Sequence, residues 1–93
     1  MARLEEKEVE ARLAELPGWE RAGDAITREF DCGDFKGSVD LVNRLTPVAE
    51  EMNHHPDLAI SWKQVTVTIT THSEGGLTAA DFELARRIDG LGP

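Results

Sequence analysis

The spacing of apolar residues divides the chain into three helical and four extended segments. In residues 4–16, Val9, Leu13 and Leu16 follow one another at intervals of four and three, the period of an amphipathic helix. Residues 35–52 continue this period over about five turns. A third helix spans residues 78–91. The apolar stripe of the second helix is Phe35, Val39, Val42, Leu45, Ala49 and Met52, and that of the third is Leu84, Ile88 and Leu91.

Capping residues and prolines set the predicted helix boundaries. Asp34 is a favourable N-cap for the second helix. Pro47 predicts a kink or a break within it, because an interior proline loses one backbone hydrogen bond and clashes with the preceding turn. Pro56 requires the helix to end before it. Thr78 and Asp81 form the structural cap of the third helix, three residues apart as in a capping box.

The extended segments form two predicted hairpins. Residues 19–22 and 25–30 flank Gly23-Asp24, a typical turn pair. Residues 58–62 and 65–70 alternate apolar and polar side chains around Lys63-Gln64. The chain is therefore predicted to be a single α+β domain over residues 1–93, in the order α-β-β-α-β-β-α. A four-stranded antiparallel sheet would carry the helices on one face.

Charge and cysteine content exclude several classes of function. Ten basic and 18 acidic residues give a net charge of −8. The negative electrostatic potential of such a chain opposes direct nucleic-acid binding and docking to an anionic membrane. The single cysteine, Cys32, cannot form an internal disulfide, and no signal-like or membrane-spanning apolar stretch is visible. We therefore expect a cytoplasmic protein.

The candidate chemistry lies in the three histidines His54, His55 and His72. If Lys63-Gln64 is a two-residue turn, His55 lies opposite His72, and opposed side chains are roughly 5 Å apart at Cβ. A one-residue change in loop length would place His72 opposite residue 54 or 56 instead, which keeps the imidazoles near one another. Histidines in different environments can supply both an acid and a base near neutral pH. Glu50 precedes His54 by one helical turn, a spacing that allows contact between the two side chains.

Each of these residues also has a structural interpretation. His54 or His55 could cap the last carbonyls of a helix, and His72 could be a surface residue. Glu50 and Glu51 could simply form a solvated helix face. A metal is not expected, because adjacent helical histidines project about 100° apart and are poorly placed to chelate one ion.

The histidines belong to a longer motif that resembles the signature of the pterin-4a-carbinolamine dehydratase family. An acid at Glu50 is followed by His54-His55-Pro56, and then by an aromatic residue, a histidine and an aspartate. The last three are Trp62, His72 and Asp81. Residues 16–19, 25–30 and 42–44 together with Phe35 also resemble family segments, so the resemblance covers nearly the whole chain.

The resemblance implies a reaction and roles for the site residues. The family removes water from 4a-hydroxytetrahydropterin, giving the quinonoid dihydropterin in tetrahydropterin recycling. It implies that His54 and His72 are the acid–base pair and that Glu50 tunes a histidine. His55 would orient the substrate, and no metal or cofactor is needed. The implied pterin-binding residues are His55, Pro56, Asp57 and Trp62.

Some positions differ from the family pattern. Trp62 stands where tyrosine is frequent, Lys63 where asparagine is common, and Ser73 where an acid is common. Pro47 interrupts a helix that usually continues smoothly. These differences affect the expected rim of the pocket and the local helix geometry without removing a catalytic residue.

Two other functions remain open at this point. Some animal members of the family bind a homeodomain transcription factor and stabilise its dimer, so this chain could be a non-catalytic interaction module. An exposed apolar stripe on residues 35–52 would favour that function. Alternatively, an enzyme of the same fold could act on a different pterin. The family also implies a homodimer or homotetramer.

Overall fold

The computed structural model describes residues 2–92, which form three helices and one four-stranded sheet. The strands are antiparallel throughout and lie in the order β1-β2-β4-β3. This confirms the predicted α+β class and element order. The elements are α1 (Glu6–Leu13), β1 (Glu20–Ala22), β2 (Ala25–Asp31), α2 (Phe35–Met52), β3 (Asp57–Ser61), β4 (Gln64–Ile69), a short 3-10 helix (His72–Glu74) and α3 (Ala79–Asp89).

The core lies between the helices and one face of the sheet. Alternate residues of β4 are fully buried, whereas the threonines between them are only half-buried. This alternation is expected for a sheet with one covered face. The main side chains of the core are Ile26, Phe30, Leu41, Leu45, Val65, Val67, Ile69, Leu84 and Ile88. The sheet and helices therefore form two layers around a single core.

Helix α2 is continuous through Pro47, so the predicted break does not occur. Pro47 is exposed, and solvent can reach the backbone carbonyl that loses its partner there. Asp34 caps the helix as predicted, since its side chain accepts a hydrogen bond from Gly37 N at 2.6 Å. Asn53 ends the helix in the left-handed conformation, φ 49°.

The predicted apolar stripe of α2 is partly wrong. Phe35 is 58% exposed, and Ser38 and Leu41 are buried in place of the first predicted positions. Ser38 fits there because its small side chain lies under the β3–β4 turn and donates a hydrogen bond to the Trp62 carbonyl at 2.7 Å. Apart from Phe35 and Pro47, the exposed positions of α2 are polar: Lys36, Asn43, Arg44, Thr46, Glu50 and Glu51.

The turn between β3 and β4 is one residue earlier than predicted. Ser61 pairs with Gln64, so Trp62 and Lys63 form the turn, and Asp57 lies opposite Thr68. The predicted opposition of residues 55 and 72 is therefore wrong. A one-residue shift of the turn moves each pairing by two positions, which preserves the faces but changes every partner.

Strand pairing also ends before it reaches the histidines. Strand β3 begins at Asp57 and β4 ends at Ile69, so His54 and His55 precede the ladder. His72 opens the 3-10 helix instead of ending the strand as predicted. The histidines are consequently positioned by turns and helix ends, not by the sheet.

Helix α3 begins at its predicted cap. Thr78 N donates to Asp81 Oδ2 at 2.7 Å, and both residues are fully buried. The structural cap formed by Thr78 and Asp81 is therefore confirmed. None of the helices within residues 2–92 combines the length and apolar character needed to cross a membrane.

Candidate active site

The buried carboxylate of Asp81 is the centre of the candidate site. Besides Thr78 N, it accepts a hydrogen bond from Thr71 Oγ1 at 2.8 Å, and its Oδ1 lies 2.6 Å from His54 Nε2. A carboxylate that is fully removed from water needs such partners, because burial without them is very costly. The helix cap thus also links the start of α3 to a histidine.

His54 is held at the C-terminal end of α2. The left-handed Asn53 turns the chain, and His54 N donates to the Ala49 carbonyl at 3.1 Å. The His54 side chain is only 14% exposed. The contact with Asp81 uses Nε2 and leaves Nδ1 as the ring nitrogen that can take a further partner.

His55 has a different and more exposed partner. Its Nε2 lies 2.5 Å from Glu50 Oε2, with the two side chains 55% and 68% exposed. The predicted contact between Glu50 and His54 is therefore replaced by one with His55. The helix ends at Met52, so the helical spacing on which that prediction depended no longer applies at residue 54.

His72 is exposed and lies next to Thr71, the residue that shares the Asp81 carboxylate with His54. Two hydrogen bonds, from Thr71 to Asp81 and between Asp81 and His54, therefore connect the backbone next to His72 with His54. The cavity that His72 lines, of about 300 Å³, contains neither of the other histidines. It is bordered by Asp24, Ala25, Thr70, His72, Gly75 and Gly76.

The predicted pterin-binding residues lie at both ends of β3. Pro56 and Asp57 follow the two histidines directly, Pro56 half-buried and Asp57 exposed. Trp62 lies beyond the opposite end of the strand, in the β3–β4 turn, and is 67% exposed. Within one chain, the strand thus separates Trp62 from five other predicted site residues that come before it or at its start, Glu50, His54, His55, Pro56 and Asp57.

The sequence does not predict the hydrogen bonds that join Asp81 to His54 and Thr71 in the candidate site. The sequence places Asp81 in the family motif but predicts for it only the helix cap, and it does not single out Thr71. A capping carboxylate has two oxygens, and the backbone N–H of the cap uses only one of them. The second carboxylate oxygen of Asp81 therefore indicates that the residue can bind another group. Which group it binds depends on the packing of α3 against α2.

The acidic and histidine side chains form pairs, not a chelating group. Across residues 2–92, no set of three or more His, Cys, Asp or Glu side chains is arranged to hold a metal ion. The pairs His54–Asp81 and His55–Glu50 instead give two imidazoles with different burial and different carboxylates.

Comparison with known sequences gives one family. The model of the family described as "Pterin 4 alpha carbinolamine dehydratase" matches residues 2–91. A protein of Thermosynechococcus vestitus is 51% identical over 89 residues, covering 96% of this chain and 94% of its own. One from Sulfurisphaera tokodaii is 44% identical and covers 98% of both chains. Both carry the provisional name pterin-4-alpha-carbinolamine dehydratase.

Solved structures give the same fold. The transcriptional coactivator/pterin dehydratase of Brucella melitensis superimposes with a TM-score of 0.93 at 34% identity, covering 98% of this chain and 99% of its own. A pterin dehydratase-like protein described as a RuBisCO assembly factor in the alpha-carboxysome has a TM-score of 0.63 at 20% identity. It covers 78% of this chain and 84% of its own. At that identity the second likeness concerns the fold alone.

Proposed function

Because the chain belongs to the pterin 4 alpha carbinolamine dehydratase family, we propose that it converts 4a-hydroxytetrahydropterin to the quinonoid dihydropterin and water. The observation that carries the proposal is the nearly buried His54 hydrogen-bonded to the fully buried Asp81. The same carboxylate accepts from Thr71, the neighbour of His72. This network supports a reaction centre formed by His54 and His72.

The chemistry of the reaction explains the need for two histidines. The C4a–O bond breaks, and the leaving hydroxyl takes a proton from an acid to depart as water. The adjacent ring nitrogen gives its proton to a base, and the C4a–N double bond forms with the electron pair released. His54 and His72 supply one acid and one base in this scheme. The pterin is itself the substrate, so the scheme includes no cofactor.

The remaining residues bind and orient the substrate in this proposal. His55, fixed by Glu50, is exposed and can meet a polar edge of the pterin. Pro56 and Asp57 extend the same side of the site. The proposal includes tetrahydropterin recycling in the cytoplasm, where the free thiol of Cys32 is expected to stay reduced. It also includes association into a homodimer or homotetramer.

Dehydration of synthetic 4a-hydroxytetrahydropterin, followed by ultraviolet absorbance, tests the proposal. We expect His54→Ala and His72→Ala each to lower kcat by about 10²-fold or more, the usual contribution of a general acid or base. His55→Ala is expected to raise KM more than it lowers kcat. Ser73→Ala, an exposed neighbour of His72, is the matched control and should retain wild-type turnover.

The same assay separates the alternatives. An interaction module would show no turnover above the spontaneous rate, with wild type and both histidine variants alike. An enzyme for another pterin would be inactive on this compound but active, and histidine-dependent, on a different 4a-hydroxylated pterin. The mainly polar exposed face of α2 gives no support to the apolar stripe that the interaction module predicts.

A further inference from the structure

The loop that carries His72 has few contacts of its own. His72 opens a short 3-10 helix in which no side chain is buried, and the exposed Gly75 that follows this helix has a φ of 70°. Gly76 comes next, and two successive glycines leave the backbone with more conformational freedom than any other pair of residues. We call residues 72–76 the His72 loop. Segments with so little buried side-chain surface open locally at low cost unless something else holds them.

Thr71 anchors the start of the His72 loop. Its hydroxyl donates to Asp81 and lies 2.9 Å from Thr78 Oγ1, and its carbonyl accepts from Glu74 N at 3.0 Å. The same carbonyl accepts a longer hydrogen bond, 3.4 Å, from Gly76 N. Within the loop itself, this long bond is what ties the second glycine back to the anchored end, so the far end of the loop depends on contacts from elsewhere in the chain.

The segment before α1 supplies those contacts. Leu4 N donates to the Leu77 carbonyl at 2.8 Å, and the half-buried Leu4 side chain packs against the core. This places Arg3 beside the two glycines, where its Nη1 donates to the Gly75 carbonyl at 3.4 Å. The stem of Arg3 lies over Gly76, which is buried although the loop residues before it are exposed. A side chain 72 positions away in sequence thus covers the far end of the loop.

The contact between Arg3 and Gly76 is close enough to exclude a side chain at position 76. A Cβ added to Gly76 would lie 2.9 Å from Arg3 Cδ and 3.3 Å from Arg3 Nε, closer than the roughly 3.5–4.0 Å of carbon atoms in contact. The three heavy atoms nearest to that Cβ position, outside Gly76 and its chain neighbours, all belong to Arg3. Gly76 is not among the glycines with a positive φ. It is therefore the close approach of Arg3, and not the backbone conformation, that requires glycine here.

The Gly76 backbone adjoins both Arg3 and the cavity that His72 lines. Gly76 and Asp24 border that cavity, and they also border a neighbouring one of about 370 Å³ that Arg3 and Leu4 line. Backbone atoms form this shared border at Gly76, because glycine has no side chain. A change in how Arg3 packs is therefore transmitted to the surroundings of His72 through the backbone of a single residue.

We propose that Arg3 is a positioning residue for His72: its stem, held in place by Leu4, packs on the Gly75-Gly76 backbone and so fixes the imidazole for proton transfer. This role rests on the proposed function, in which His72 belongs to the acid–base pair. A displacement of about 1 Å in a reacting group can cost about 10²-fold in rate. Since Arg3 itself does not touch the substrate in this proposal, its loss should lower kcat and leave KM nearly unchanged.

NMR spectroscopy tests the anchoring without any activity measurement. In Arg3→Ala we expect the Gly76 amide hydrogen to exchange about tenfold faster or more, because the loop opens locally once its cover is removed. The His72 ring resonances should shift, whereas those of His54 should stay as in wild type. The matched control is Lys7→Ala, which removes the same charge from an exposed position of α1 and should change neither the exchange nor the His72 resonances.

A double-mutant cycle tests whether Arg3 and Gly76 act through one contact. Gly76→Ala places a methyl group where the Arg3 stem lies and displaces it, at a position whose φ alanine tolerates. We expect Arg3→Ala and Gly76→Ala each to lower kcat by about five- to tenfold, with KM within about twofold of wild type. The double variant should be no slower than the slower single variant. Losses that multiply in the double variant would show that the two residues act separately, which contradicts the proposal.

Arg3→Met separates packing from charge and completes the test. Methionine keeps an unbranched stem without the cation, so this variant should retain roughly half or more of the wild-type kcat and a slowly exchanging Gly76 amide. Wild-type exchange at Gly76 in Arg3→Ala, or a loosened His72 loop with wild-type kcat, would overturn the proposal. If the wild-type protein has no turnover, it is the proposed function that fails, and the exchange and His72 resonances alone then support or overturn the anchoring by Arg3.

Discussion

At the scale of single residues, one carboxylate has two functions. Asp81 accepts a hydrogen bond from the backbone N–H of Thr78, the N-cap residue of α3, and also holds the Nε2 of His54. A fully buried acid with this many partners restricts the imidazole to one orientation. His55 and Glu50, by contrast, form an exposed pair that solvent can weaken. His54 and His55 are thus neighbours in sequence but differ in burial and in their carboxylate partner.

Replacing Asp81 tests this function. Asp81→Asn keeps the shape but replaces one acceptor oxygen by a donor, so His54 loses its acceptor or the cap loses its own. We expect kcat to fall by about 10²-fold and the free energy of unfolding to fall by about 1–3 kcal/mol.

Thr71→Val is the control for a purely structural effect of Asp81→Asn. It removes the hydrogen bonds of Thr71 Oγ1 to Asp81 and Thr78 but leaves the contact between Asp81 and His54. It should lower stability by about 1–2 kcal/mol, with a smaller fall in kcat than Asp81→Asn. Urea unfolding and the pH profile of kcat measure the two effects separately. An unchanged kcat and pH profile in Asp81→Asn would limit Asp81 to the helix cap.

At the scale of elements, the ends of helices and strands form the site. Helix α2 delivers His54 through the left-handed Asn53, and α3 delivers Asp81 through its capping box. The sheet itself carries none of the three histidines. Helix α2 is continuous through Pro47, whose ring nitrogen cannot donate to the carbonyl four residues earlier. That position should therefore be suboptimal for stability.

Pro47→Ala is expected to stabilise the protein. Alanine restores an N–H donor and removes the ring clash at an exposed helical position, so the free energy of unfolding should rise by about 1–3 kcal/mol. Thr46→Ala on the same exposed turn is the control. It loses a hydrogen bond from Oγ1 to the Val42 carbonyl, at 2.7 Å, and should change stability far less. A lower stability of Pro47→Ala in thermal or urea unfolding would mean that the surroundings of α2 require the proline.

At the scale of the whole molecule, a polar cluster connects distant parts of the chain. Asp89 at the end of α3 accepts from Trp19 Nε1 at 2.9 and 3.1 Å and from Arg28 NH1 at 2.9 Å. The Arg28 guanidinium also stacks over Phe30, 4.6 Å from the ring centre. The cluster joins the segment before β1, the strand β2 and the last helix, far from the histidines in sequence.

Removing Asp89 should destabilise the fold without affecting catalysis. Asp89→Ala leaves the buried indole N–H of Trp19 and the half-buried Arg28 without their acceptor, at a cost of about 1–3 kcal/mol. The control is Glu83→Ala, which removes an exposed ion pair with Arg86 and should cost less than about 1 kcal/mol. Chemical unfolding gives both values. Equal losses in the two variants would show that the Asp89 cluster is no more than a surface pair.

The local pattern of the sequence determined the element order and the caps at Asp34 and Thr78, and it singled out the three histidines as candidates. These features depend on backbone periodicity and on residues within one turn of each other. The pattern also predicts a kink or a break at Pro47 and burial of Phe35. The break and the burial are wrong, since an exposed proline can be accommodated within a helix and the buried face depends on what packs against it.

Only the tertiary structure decided which groups meet. The β3–β4 register depended on whether the turn begins at Trp62 or at Lys63, a difference of one residue that changes every partner along the hairpin. The pairing of His54 with Asp81, 27 positions apart, required α2 and α3 to pack together. Contacts of this kind are set by the geometry of packing between elements, for which the sequence has no local period.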